Sequence, residues 1–150
     1  MSTTINPSLP AISIDLVRAA LRAEGSFWSG KTADDLKAIE ERYKRFLLLV
    51  QHFPNEDLAP TRDIDEAWHL HMLNPRAYAA DCARIFGDLL DHDGGFGKDS
   101  PEQLEELKAI FEHTSKRWLD MFGHEYTTGR EQHRVRCIRA CRVACKVNVH

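Results

Sequence analysis

Leu36, Ile39, Tyr43, Phe46, Leu47 and Val50 recur at spacings of three and four in the stretch before Pro54. That period puts all six on one face of an amphipathic helix over residues 33–53. So long an apolar face is stable only when other elements cover it, so the rest of the chain must fold around it.

The covering elements also read as helices. Residues 1–12, with Pro7 and Pro10 and no periodicity, are expected to form an extended lead-in. Ser13 can cap a first helix whose apolar positions Ile14, Val17, Ala20 and Leu21 lead to Gly25. Thr32 caps the long helix, and Thr61 opens a third that Asn74-Pro75 interrupts. The same pair starts a fourth, because proline suits the first helical position and asparagine the cap; Gly87 ends it. Residues 88–99 hold three of the eight glycines and read as a loop. Ser100, Pro101 and Gln103 open a fifth helix in a capping-box variant, and Gly123 closes it. A last helix is expected over about 130–146. No segment alternates as a strand does. The prediction is an all-α, compact single-domain bundle of five or six helices: lead-in 1–12, helical domain 13–128 and a C-terminal helix within 129–150.

At 150 residues the chain can bury one core. No window has the roughly 18 consecutive apolar residues of a membrane span. The N-terminus has neither the basic region nor the apolar region of a secretory signal, so a cytoplasmic location is expected. The net charge of -3 is uneven. Six basic residues after Gly129 face one acid, giving that tail about +5 and the remainder about -8. Such a tail can dock on its own acidic body or on a partner protein. A nucleic-acid surface is the further alternative for the basic C-terminal helix, weakened by the overall pI of about 6.2.

Chemistry concentrates in "DIDEAWHLHML", residues 63–73. On a helix, Ile64, Ala67, Trp68, His71 and Met72 form the apolar stripe. Asp65 and His69 are stacked neighbours at i and i+4. His69 and His71 lie about 200° apart at 100° per residue, so a regular helix does not simply present both to one ion. An Asp65–His69 clip is the candidate metal site, and it needs ligands from elsewhere. His92 is the first choice, with His71 and Cys82 in reserve. Imidazole, carboxylate and thiol donors suit zinc, copper or iron. Equally, an Asp–His pair at this spacing can be a simple hydrogen-bonded pair, and the motif would then serve packing in a non-catalytic interaction module. No metalloprotease, phosphate-loop or serine-nucleophile pattern occurs, so no catalytic residue is assigned.

A second candidate lies in "RCIRACRVACKV". Cys137, Cys141 and Cys145 fall at i, i+4 and i+8, with His133 extending the stripe. The outer two Cα atoms would be about 12 Å apart, too far for one ion to bridge on a straight helix. Adjacent pairs could share a soft metal, or all three could pack as small hydrophobes.

The stretch "APTRDIDEAWHLHMLNPRAYAADCARIFGDLLDH", residues 59–92, resembles the core motif of the glycine-rich domain-containing protein-like family. The resemblance implies that Asp65, Trp68, His69, His71, Tyr78, Asp81, Cys82 and His92 recur as a set. Residues with metal-ligand chemistry in such a set favour a site over packing alone. No reaction follows from the resemblance.

Overall fold

The computed structural model describes residues 8–93 and 96–127. It contains five helices in the order α1 (Leu16–Arg22), α2 (Ala33–His52), α3 (Arg62–Met72), α4 (Pro75–Phe86) and α5 (Pro101–Phe122). Among the described residues, extended pairing is confined to the single positions Leu58 and Asp93. The expected C-terminal helix, with Cys137, Cys141, Cys145 and His133, lies outside the described residues.

The stripe on α2 is the centre of the core. Tyr43, Phe46, Leu47, Leu49 and Val50 are all essentially inaccessible. Burying each such side chain contributes about 1.5–3 kcal/mol. Helix α2 begins with a full capping box: Thr32 Oγ1 accepts from the Asp35 amide, and Asp35 accepts from the Thr32 amide. Helices α1 and α3 pack on α2 and on each other, α4 packs on α3, and α5 covers the other side of α2.

Short polar ties set where α3 starts. The buried Tyr126 hydroxyl accepts from the Thr61 amide at 3.1 Å and donates to the Ala59 carbonyl at 3.0 Å. Arg42 on α2 donates to Asp63 at 2.6 Å and to the Tyr126 carbonyl at 3.0 Å. It also lies over the rings of Trp118 and Tyr126. The end of α5 is thereby fastened to the first turn of α3.

Two expectations about helix starts are corrected. Asp15, not Ser13, caps α1, its carboxylate accepting from the Arg18 amide. The α1 stripe is also phased differently: Leu16 and Ala20 are buried, whereas Leu21 is 69% exposed. The apolar residues of LVRAALR cover most of the helix circumference, so local pattern alone does not choose the inner face. At α5, Ser100 does accept from the Gln103 amide at 3.1 Å. The Gln103 side chain, however, does not return to Ser100; it accepts from the amides of Gly97 and Asp99 and so caps the preceding loop. Gly97 has φ +96°, and a Cβ there would meet Leu107 Cδ2 at 2.6 Å. Only glycine allows this loop to lie so close to α5.

Candidate metal centre

Helix α3 sends its two histidines in different directions. On one side, His69 Nε2 lies 2.9 Å from His92 Nε2 and 3.4 Å from Asp65 Oδ1. His92 Nε2 lies 3.0 Å from the same carboxylate oxygen. These three are the group of potential ligand atoms that converge among the described residues. The Asp65 side chain is fully buried, that of His92 nearly so, and His69 is the exposed member at 33%.

Neither Asp65 oxygen forms a properly directed hydrogen bond. Both imidazole Nε2 atoms lie within ion-pair distance of Asp65 Oδ1, yet neither contact is directed as a hydrogen bond. A buried carboxylate without a hydrogen bond is costly, because it has lost its water without a directed replacement. His92 Nδ1 also has no hydrogen-bond partner among the described residues.

His92 reaches this position from the loop after α4, and buried aromatic residues bring it there. Trp68 Nε1 donates to the Tyr78 hydroxyl at 2.9 Å, and Tyr78 donates to the Leu90 carbonyl at 2.5 Å. This relay runs from α3 through α4 to the loop, two residues short of His92. The His92 ring then stacks on the Trp68 indole, with centroids 4.0 Å apart and planes at 29°. Burial raises the Tyr78 phenol well above its ordinary value, so it stays protonated and able to donate.

On the other side of α3, His71 is enclosed. Its Nδ1 lies 2.7 Å from the Tyr43 hydroxyl and its Nε2 lies 2.8 Å from Asp81 Oδ2. The neutral tautomer with hydrogen on Nε2 satisfies both contacts, donating to Asp81 and accepting from Tyr43. Burial lowers the His71 pKa below its ordinary value despite the opposing pull of Asp81. Burial would raise the Asp81 carboxyl, but hydrogen bonds from Ser13, Arg84 and His71 outweigh it and hold the pKa below the usual value. Both the amide and the hydroxyl of Ser13 donate to Asp81, at 2.7 and 2.5 Å. Arg84 binds both Asp81 and the Ala11 carbonyl. The Tyr43–His71–Asp81 chain therefore clamps the segment before α1 onto α4. Neither Tyr43 nor Ser13 is marked by spacing as part of it. A tyrosine in the middle of a buried stripe was the available signal, because a buried hydroxyl needs a partner.

Of the sequence candidates, then, Asp65, His69 and His92 come together, while His71 belongs to the separate clamp. Cys82 is buried on α4 beside Tyr78, with its thiol pKa raised by burial, and is not one of the three converging groups.

Fold and site together define an all-helical protein with a His–His–carboxylate cluster between its third helix and the loop after its fourth. The model of the glycine-rich domain-containing protein-like family matches residues 2–81, and the chain belongs to that family. It is 34% identical over 98 residues to glycine-rich domain-containing protein 1 of Arabidopsis thaliana, covering 62% of this chain and 12% of that protein. It is 32% identical over 122 residues to glycine-rich domain-containing protein 2 of the same plant, covering 75% of this chain and 15% of that protein. The chain thus spans less than a sixth of the length of either relative. No solved structure matches it. Asp65, His69, His71 and Asp81 lie within the family match, whereas His92 lies beyond its end. No described helix is long and apolar enough to cross a membrane.

Proposed function

We propose that the protein binds one transition metal ion through Asp65 Oδ1, His69 Nε2 and His92 Nε2. The observation that carries this reading is the buried Asp65 carboxylate, which lacks a directed hydrogen bond yet has two imidazole nitrogens within 3.4 Å. An ion resolves the conflict, because all three atoms can then turn lone pairs toward one centre.

The spacing supports the same reading. The three atoms lie on a circle of about 1.8 Å radius, smaller than the ~2.0–2.1 Å of metal–nitrogen and metal–oxygen bonds. An ion held by these three atoms would have only three protein ligands, leaving further coordination positions free. Two imidazoles and a carboxylate with open positions are the donor set of catalytic zinc and of non-haem iron(II), whereas structural zinc is closed by four protein ligands. The Trp68 stack and the Tyr78–Leu90 bond would orient His92 as outer-shell groups do in metal sites.

The test is metal-dependent stability of chelator-treated protein bearing no affinity tag. Zinc at about 100 times its Kd stabilises by about 2.7 kcal/mol, which for a domain of this size is a Tm rise of roughly 5–10 °C. The rise disappears in His69→Ala. A wild-type Tm that zinc, iron(II) and copper all leave unchanged would overturn the reading.

A further inference from the structure

His69 belongs to two features at once. Besides joining the triad, it lines a cleft of about 430 Å³ between α1 and α3. That volume falls in the range of small-molecule sites, ~300–1,000 Å³. Ala19, Ala23, Trp28 and Leu70 give the cleft an apolar wall, and Leu73, 76% exposed, extends it outward. Ala19 on α1 and Ala23 at its C-cap present small side chains to the cleft, and larger ones there would narrow it. Arg22 stands on the rim and makes no hydrogen bond or ion pair among the described residues. Glu24 and Glu66 are also on the rim, and Glu66 has an interaction of its own.

We infer that this cleft binds a monocarboxylate with an apolar tail, its head reaching the ion beside His69 and its tail lying along the alanine wall. The inference rests on the metal reading above. An ion with free positions and the Arg22 guanidinium attract a carboxylate head, against the opposing charge of Glu24 and Glu66 in the same lining. The apolar wall selects the tail. His69, the triad's one exposed ligand, lines the cleft, whereas Asp65 and His92 are closed to solvent and do not line it, so the head group is assigned to the His69 side of the ion.

The experiment uses the full chain loaded with cobalt(II), whose visible absorption reports changes in coordination, titrated with acetate and octanoate. Each methylene that is fully buried strengthens binding roughly fourfold. Octanoate is therefore expected to bind at least ten times more tightly than acetate, both perturbing the cobalt spectrum. Ala23→Trp, which fills the cleft, should abolish that preference without changing the cobalt stoichiometry. Arg22→Gln, an exposed position safe for folding, should weaken both ligands several-fold and keep the preference. Equal affinities for acetate and octanoate, or Arg22→Gln binding both as wild type does, would overturn the cleft while leaving the metal site standing. Failure of the protein to take up cobalt would overturn both.

Discussion

The His92 imidazole lies against the Trp68 indole, ring centroids 4.0 Å apart, although the two residues come from different elements joined through all of α4. The loop that carries His92 to this stack is tied down by Tyr78, which bonds both Trp68 and the Leu90 carbonyl. Removing the hydroxyl in Tyr78→Phe strands the Trp68 N–H and the Leu90 carbonyl in a buried setting. The expected loss is about 1–3 kcal/mol in stability. Because the same bond positions the His92 loop, metal affinity should also fall, by about 10- to 100-fold. Urea unfolding and metal titration of the one variant measure both. Loss of stability with unchanged affinity would disconnect the relay from the site.

The two histidines of α3 should separate by mutation. His71 is bonded at both nitrogens inside the Tyr43–Asp81 clamp, far from the triad's chemistry. Asp81→Ala removes the acceptor for Ser13, Arg84 and His71 together and should cost about 3 kcal/mol or more. Bound metal per folded chain should not change. The opposite pattern is expected of His69→Ala, whose side chain is one-third exposed: metal binding lost, metal-free stability nearly kept.

Much of this division is legible in the sequence, and the reasons differ by element. Proline at the first helical position and a left-handed glycine at the end mark α4 and α5 unambiguously, at Pro75 with Gly87 and at Pro101 with Gly123. The helical period alone puts His69 and His71 on different faces. Ser13 misleads because its hydroxyl is used by Asp81, 68 residues away, rather than by the helix it precedes. The position of His92 is likewise invisible locally. It follows from a loop whose course is set by a tyrosine bonded to a backbone carbonyl, which no spacing rule encodes.

Acid should loosen the clamp first at His71. Its folded pKa lies below the ordinary 6.5, so the folded state favours neutral imidazole. The stabilisation is complete above about pH 6.5 and is lost as pH falls from there toward the folded value. Between pH 7 and 5, chelator-treated wild type should lose more stability than His71→Gln in parallel urea melts. Parallel curves across that window would contradict a neutral His71.

Core truncation sets the scale for these effects. Phe46 is fully buried at the centre of α2 and packs against Trp68 at 5.7 Å between ring centroids. Phe46→Ala should cost about 3–5 kcal/mol. Calorimetry of that variant should give a deeper loss than Leu21→Ala, which removes a side chain that is 69% exposed. Comparable losses would mean that α1 and α2 present different faces to the core.

The central claim is that Asp65, His69 and His92 hold an ion, and elemental analysis by plasma mass spectrometry tests it most directly. Untagged protein, saturated with zinc and freed of excess by gel filtration, is compared with Asp65→Asn and His92→Ala prepared identically. About one equivalent per wild-type chain and a small fraction of that in both variants is the predicted result. Wild type that retains no metal, or variants that retain as much as wild type, would contradict it.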